Sequence, residues 1–255
     1  MFPLLQIGPF TIPVDGLLLL AGLWLGLELA ERAMRHTMPA YELRPDVLYT
    51  LVFIAIATGL LGARLVYVGR YLDSYLADPW AAFSLNANTL DGSGGLLIGL
   101  AAALAYGRWR RLPLRPALDT FAPGLAAFAV AVGLAHLASG DAFGAPTTLP
   151  WTIELWDAQR HPSQLYEIIA ATGILIFVWR LRRNRPFPGF LFLVWVALTS
   201  GARLFLEAFR GDSIIVAGSI RQAQLAALLI MLASLWLMGR WAREKQDTGG
   251  SHQAA

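Results

Sequence analysis

The chain contains no cysteine, which excludes disulfide bonds, thiolate catalysis and cysteine-ligated metal sites. Lysine is nearly absent too: Lys245 is the only one, so arginine carries almost all of the positive charge. Charged residues make up only 15% of the chain and hydrophobic residues 56%, whereas a soluble domain has about 25% charged residues. So little charge favours an integral membrane protein.

Seven apolar stretches recur along the chain, most of them long enough to cross a hydrocarbon core of about 30 Å as a helix. They cover approximately residues 16–33, 47–68, 93–107, 117–139, 164–180, 188–209 and 218–239. We therefore predict an all-α integral membrane protein in which residues 1–245 form one domain of seven transmembrane helices. The polar, glycine-containing residues 246–255 are predicted to be a disordered cytoplasmic tail.

Arginine clusters follow the first, third, fifth and seventh of these stretches, while the intervening loops carry few basic residues. The positive-inside rule then places the N-terminus outside and the C-terminus in the cytoplasm. Basic residues scattered between apolar spans do not form the continuous basic face that nucleic acid requires, so no nucleic-acid partner is predicted. The two longest outer loops, 69–92 and 140–163, are predicted to fold into small outer-face elements.

Several ionisable side chains fall at one depth of the predicted bundle. At 1.5 Å per residue, Arg64, His136 and Arg203 lie about 22–28 Å from the inner ends of their spans, near the outer third of the membrane. The other members of this set are Asp15, Asp141, His161 and Glu207. Charge inside a span costs roughly 2.5–3.5 kcal/mol per group, so each needs a partner or a hydrated cavity. Arg64 could contact a lipid phosphate or the carbonyls of a loop, and His136 could be functional or merely packed.

The sixth span contains "GARLFLEAFR", which places Arg203, Glu207 and Arg210 on one helix face. Two guanidiniums with a carboxylate between them could hold a phosphodiester, since arginine binds phosphate through two hydrogen bonds at once. The alternatives are a structural Arg203–Glu207 ion pair and an Arg210 that extends its charge to the interface.

The stretch "RHPSQLYE" precedes the fifth span and carries an unusual density of polar groups: His161, Ser163, Gln164, Tyr166 and Glu167. Pro162 suits the first position of a helix, whose free N–H groups and dipole favour an anion. The simpler alternative is a well-capped helix with an interfacial tyrosine.

These motifs, together with "GARLVYV" at 62–68, "SGDAFGAPTTLPW" at 139–151 and "IGPFTIPVDGLLLLAG" near the N-terminus, resemble the bacterial prolipoprotein diacylglyceryl transferases. The resemblance implies a multi-pass protein of the bacterial cytoplasmic (inner) membrane. It also implies transfer of the diacylglyceryl group of phosphatidylglycerol to the lipobox cysteine of a preprolipoprotein, with release of glycerol phosphate and no cofactor or metal. It implies catalytic roles for Arg203, Glu207 and Asp141, and we add His136 and His161 as candidate bases. Predicted phospholipid contacts are Arg64, Arg203, Arg210, Ser163, Gln164, Tyr166 and Glu167.

The chain departs from the family pattern at five positions. Ser93, or Gly94 under a one-residue shift, stands where the family has a histidine, and Gly133 stands where it has an arginine. Asp15 and Thr199 replace tyrosines, and His136 replaces an asparagine or cysteine. His136 or His161 could replace the lost base, and Arg64 or Arg210 could replace the lost phosphate ligand.

A phospholipid-binding paralogue that has lost or changed the reaction is the alternative function. A solute transporter is disfavoured because no internal repeat is visible.

Overall fold

Helices account for most of the chain in the computed structural model, which describes residues 4–7, 10–38, 45–84, 86, 89–217 and 220–251. Within that part the α-helices are α1 (Val14–Thr37), α2 (Pro45–Arg70), α3 (Leu72–Ala77), α4 (Gly92–Trp109), α5 (Leu114–Ser139), α6 (Ser163–Leu181), α7 (Phe190–Leu206) and α8 (Gln222–Ser251). Each of the seven apolar stretches lies on one of the long helices. Residues 218–219, at the start of the seventh stretch, lie outside the described part.

The described residues also include three short antiparallel strand pairs: β1 (Leu4–Ile7) with β2 (Phe10–Pro13) before α1, β3 (Ile153–Glu154) with β4 (Gln159–Arg160) between α5 and α6, and β5 (Ile215–Ala217) with β6 (Ile220–Arg221) between α7 and α8. The loop 140–163 thus contains the β3–β4 hairpin, whose turn holds Trp156 and Asp157 at φ of 53° and 54°. Two consecutive left-handed residues are the geometry that tight hairpin turns require. The loop 69–92 contains α3 and a 3-10 helix, Pro79–Phe83.

Among the described residues, five helices are long and apolar enough to cross a membrane: Asp46–Arg70, Leu114–Ser139, Ser163–Leu181, Phe190–Phe209 and Gln222–Lys245. The prediction of a helical, multi-pass membrane protein is confirmed to that extent. Of the other two long helices, α1 carries Glu28, Glu31 and Arg32 in its second half, and α4 has only 18 residues, five of them glycine. The charged residues of α1 and the short length of α4 therefore distinguish these two helices from the five candidate spans.

The chain divides into two compact units, residues 1–40 with 115–255 and residues 41–114. The prediction of a single domain over 1–245 stays a prediction. α8 continues to Ser251, six residues into the predicted tail, and residues 252–255 lie outside the described part.

In the larger unit, α5 is the most buried of the five candidate spans. Small residues allow it to approach α1 closely: a Cβ added to Gly26 would lie 2.9 Å from the Gly124 carbonyl oxygen, and one added to Gly22 2.1 Å from the Ala131 Cβ. Close helix approach through small residues is the usual packing mode in membranes, where there is little hydrophobic drive between helices. On another face of α5, Ala122 packs with the fully buried Val178 of α6 and Leu191 of α7.

A buried carboxylate fixes the start of α7. Asp119, fully buried on α5, accepts hydrogen bonds from the backbone N–H groups of Gly189 (2.8 Å) and Phe192 (3.0 Å). Its Oδ2 also lies 3.2 Å from Nη1 of Arg185, in the loop that connects α6 to α7. Helix N-termini have free N–H groups that favour negative charge, so this one contact aligns α7 with α5.

In the smaller unit, α2 and α4 pack through glycines: a Cβ on Gly99 would lie 2.5 Å from the Ala55 carbonyl oxygen. Asp91 caps α4 by accepting from the Gly94 N–H (2.7 Å) and the Ser93 hydroxyl (2.7 Å), and it pairs with Arg70 at 2.8 Å. The Ser93 and Gly94 hydrogen bonds to the charged form, with the Arg70 charge, hold the pKa of the Asp91 carboxyl below its usual value.

Candidate functional site

A cavity of about 290 Å³ lies between α5, α6 and α7 in the larger unit. Its walls are three helix stripes with helical spacing, so one face of each helix turns toward it. The lining residues are Leu125, Ala126, Phe128, Ala129 and Val132 on α5, Ser163, Glu167, Ala170, Ala171 and Ile174 on α6, and Trp195, Thr199, Ala202, Arg203 and Leu206 on α7, with Arg210 beyond it.

The cavity is polar at one end and apolar over most of its length. Ser163, Glu167, Arg203 and Arg210 form what we call its polar end, while the rest is lined mainly by aliphatic and aromatic side chains. The polar end lies at the N-terminus of α6 and the C-terminus of α7, as antiparallel neighbours require. A charged opening above an apolar chamber suits a ligand with an anionic headgroup and hydrocarbon chains.

Glu207 holds the two arginines of the polar end. Its carboxylate is 1% exposed and lies 3.0 Å from Nη2 of Arg203 and 3.9 Å from Nε of Arg210. Arg210 is also clamped by Asp212, at 2.9 Å and 2.6 Å, so its guanidinium is paired rather than extended away from the protein. The Arg203 side chain is 38% exposed. Arg203 is therefore positioned by a buried carboxylate on one side and open to a ligand on the other.

On the facing helix, Glu167 of the polar end pairs with His136 of α5, Nδ1 lying 2.9 Å from Oε2. Arg203 and Arg210 line the same end of the cavity as this carboxylate. The spacing of Arg203, Glu207 and Arg210 already placed these three on one helix face, and the structure adds the pair of Glu167 and His136 beside them.

At the start of α6, two residues predicted to contact phospholipid instead donate hydrogen bonds to the preceding loop. The Ser163 hydroxyl donates to the Ala142 carbonyl (2.6 Å), and Gln164, fully buried, donates from Nε2 to the Asp141 carbonyl (2.9 Å). The Asp141 carboxylate itself is exposed and accepts from the Ser139 hydroxyl at 2.8 Å. Ser163 still lines the cavity, whereas Gln164 contributes by fixing the loop.

His161 and Tyr166 lie in an aromatic cluster with Phe209. The His161 ring is 5.2 Å from the Phe209 ring and 6.2 Å from the Tyr166 ring, both edge-on, and its Nδ1 is 3.5 Å from the Tyr166 hydroxyl. That hydroxyl accepts a hydrogen bond from Nε1 of Trp151 at 2.8 Å. None of these rings is among the residues that line the cavity.

Arg64 belongs to the smaller unit and holds its loop. Nε donates to the Ala82 carbonyl (2.8 Å), Nη2 to the Ala81 carbonyl (2.6 Å) and the Ser84 hydroxyl (2.9 Å), and Nη1 to the Thr89 carbonyl (3.0 Å). This is the loop-carbonyl arrangement considered as the alternative for Arg64. Its predicted contact with phospholipid stays a prediction.

The predicted site residues did not include two residues of the cavity wall that carry polar atoms, Trp195 and Thr199. Trp195, Thr199 and Arg203 recur at intervals of four, so the stripe on α7 was visible in the sequence once Arg203 was chosen. In the part of the chain that the structure describes, neither Trp195 Nε1 nor Thr199 Oγ1 has a hydrogen-bond partner.

At Gly133, the position of the family's arginine, α6 packs directly on α5. A Cβ added there would lie 2.8 Å from Cγ1 of Ile168 and 3.4 Å from its backbone nitrogen. A side chain at this position fits only if Ile168 moves, so an arginine cannot be introduced here without disturbing the contact between α5 and α6.

We accordingly expect Gly133→Arg to lower stability without raising any activity, at a cost in the range of about 1–3 kcal/mol for overpacking. Gly133→Ala should lower the melting temperature in detergent as well. Gly173→Ala on α6 is the matched control, because a Cβ there meets no atom within 4 Å. A Gly133→Arg protein that melts like the wild type would contradict this packing.

Comparison with known proteins points to one family. The family model described as prolipoprotein diacylglyceryl transferase matches residues 3–240. A protein of Gloeobacter violaceus named phosphatidylglycerol–prolipoprotein diacylglyceryl transferase is 31% identical over 260 residues, which cover 95% of this chain and 94% of that protein.

Two further proteins with the same name show the same extent of likeness. The one from Parasynechococcus marenigrum is 29% identical over 268 residues (96% of this chain, 94% of that protein), and the one from Clostridioides difficile is 29% identical over 221 residues (86% and 87%). The match therefore includes the cavity, the polar end and both units. This chain belongs to the prolipoprotein diacylglyceryl transferase family.

Proposed function

We propose that this protein transfers the diacylglyceryl group of phosphatidylglycerol to the lipobox cysteine of a preprolipoprotein and releases glycerol phosphate. The observation that carries the proposal is the cavity itself: an apolar chamber whose polar end presents an open arginine, in a chain of this family. The relatives named above are transferases by name, and they match nearly the whole chain.

The geometry suits the reaction in three ways. We place the hydrocarbon chains of the lipid against the apolar walls of α5, α6 and α7 and the phosphate of the same lipid at Arg203. The buried Glu207 carboxylate pairs with the Arg203 guanidinium at 3.0 Å and so keeps its positive charge at the polar end. A fixed cation at the position where negative charge grows on the leaving phosphate lowers the barrier, because its orientation costs nothing at the moment of reaction.

We further propose that the protein sits in the bacterial cytoplasmic membrane with seven spans, α1 and α4 being the two additional ones. The arginine clusters after alternate spans support an outside N-terminus and a cytoplasmic C-terminus. In that orientation the polar end of the cavity faces the outer leaflet, where a secreted preprolipoprotein emerges. Phosphatidylglycerol and a lipobox-containing preprolipoprotein would be its partners.

A phospholipid-binding paralogue without activity is not favoured, since the relatives that match it end to end bear the name of the enzyme. Gly133 and Ser93 have structural roles here: Gly133 allows α5 and α6 to pack closely, and Ser93 donates a hydrogen bond to Asp91, the cap of α4. If the family's arginine and histidine act in the reaction, other residues must take over their roles in this protein.

The proposal is tested by expressing the protein in a strain depleted of its own transferase. The expected result is restored growth and a lipoprotein whose mass includes the diacylglyceryl group. A well-expressed, membrane-inserted protein that leaves the lipoprotein unmodified would contradict the proposal.

A further inference from the structure

A carboxylate and an imidazole from different helices form a pair beside the polar end. His136 lies on α5, one turn beyond Val132 of the cavity wall, and Glu167 lies on α6 within that wall. Nδ1 of His136 is 2.9 Å from Oε2 of Glu167, and the two side chains are 30% and 27% exposed. Both groups are thus fixed by each other and still accessible.

The contact sets the chemistry of the imidazole. A carboxylate accepts a hydrogen bond but cannot donate one, so it selects the neutral tautomer with the proton on Nδ1. The lone pair is then on Nε2, for which the structure shows no hydrogen-bond partner within its described ranges. A carboxylate that orients an imidazole through one nitrogen leaves the other ready to take a proton, as in hydrolase triads.

The charges around the pair favour this arrangement. Arg203 and Arg210 line the same polar end as Glu167, while Asp141, just beyond the end of α5, is engaged by Ser139. The imidazole therefore lies next to the site proposed for the phosphate without occupying it.

His161, the other candidate base, is less suitable. Its ring packs edge-on against Phe209 and Tyr166, and its Nδ1 lies 3.5 Å from the Tyr166 hydroxyl. Within the described ranges, no carboxylate pairs with either nitrogen of its ring. These contacts pack the His161 ring in an aromatic cluster, and they do not orient it as a base.

We propose that Nε2 of His136 is the base that takes the proton of the acceptor thiol, and that Glu167 is the positioning residue that holds its tautomer. The inference rests on the proposed transferase function and names the catalytic base for it. As the S–H proton moves to Nε2, the sulfur electron pair forms the S–C bond to the glyceryl carbon. The C–O bond to the phosphate breaks, its electron pair leaves on the glycerol phosphate held at Arg203, and the imidazolium then returns its proton to solvent.

The test compares the pH dependence of transfer in wild-type protein and in His136→Gln. The variant should lose about 10²–10⁴-fold in kcat/KM for a lipobox peptide near neutral pH, the usual contribution of a general base. The deficit should shrink to about tenfold or less near pH 9.5, because a cysteine thiol of ordinary pKa, about 8.5, ionises there without a base. The KM for phosphatidylglycerol should not change. Exposed His36, on α1, supplies the control His36→Gln, which should match wild type.

Nitrogen NMR of the wild-type protein gives a readout that does not depend on activity. The His136 ring should show a protonated Nδ1 and an unprotonated Nε2, and Glu167→Gln should remove that preference. Glu167→Gln should also slow transfer with the same pH dependence as His136→Gln, whereas any loss in His161→Gln should be equal at both pH values.

Two results would overturn the inference while leaving the transferase proposal intact: a loss in His136→Gln that is equal at both pH values, or an Nε2-protonated tautomer in the wild type. A wild-type protein that is folded and transfers nothing at any pH would instead overturn the transferase proposal, and this inference with it.

Discussion

Arg203→Ala is expected to lower the kcat of diacylglyceryl transfer by about 10²–10³-fold, the usual effect of removing one group that stabilises developing negative charge. Arg203 is the open guanidinium at the polar end, whereas Arg210 is 12% exposed and already paired with Asp212. Arg210 therefore cannot substitute for it. The rate is measured as diacylglyceryl mass added to a lipobox peptide under saturating lipid.

The substitution Arg203→Lys separates the effect of the positive charge from the effect of the hydrogen-bond geometry of the guanidinium. Lysine keeps the positive charge beside Glu207 but cannot make the two parallel hydrogen bonds of a guanidinium, so we expect an activity between those of wild type and Arg203→Ala. Arg32→Ala is the control, since that arginine forms an exposed ion pair with Glu28 on α1. Wild-type activity in Arg203→Ala would show that the cavity does not hold the reacting phosphate.

Asp119→Ala is expected to destabilise the protein by about 3–5 kcal/mol, as does breaking other buried ion pairs. The substitution leaves the N–H groups of Gly189 and Phe192 without an acceptor and Arg185 without its buried partner. It is measured as a lower melting temperature in detergent. Activity per folded molecule should fall much less than in Arg203→Ala, because Asp119 lies at the opposite end of α5 from His136.

Glu28→Ala provides the comparison for that measurement. The Arg32–Glu28 pair has the short distance of 2.8 Å but side chains that are 62% and 36% exposed, and exposed pairs contribute about 1 kcal/mol or less. Equal destabilisation by the two substitutions would mean that Asp119 does not anchor α7.

The sequence was sufficient for the helices and for contacts within one helix. Apolar length located each long helix, and the spacing of Arg203, Glu207 and Arg210 was enough to predict that one carboxylate lies between two guanidiniums. The motifs led to the family, which the comparisons confirm. These inferences succeed because helical geometry relates neighbours in the chain to neighbours in space.

Contacts between helices could not be obtained in the same way. Depth along a span follows from counting residues, but the direction in which a helix turns its faces depends on packing that a single sequence does not reveal. Hence the pairing of His136 with Glu167, 31 residues apart, was not predicted. Gln164 and Arg64 donate hydrogen bonds to loop carbonyls, and these contacts could not be predicted either, because every residue type carries the same backbone carbonyl.

The most direct test of the account is a mass measurement on a lipobox peptide incubated with the purified protein in vesicles. With phosphatidylglycerol in the vesicles, we expect the peptide to gain one diacylglyceryl group while an equal amount of glycerol phosphate appears. A peptide with serine in place of its cysteine should gain nothing. A folded protein that adds no mass to the cysteine peptide, or adds it equally from vesicles without phosphatidylglycerol, would contradict the central claim.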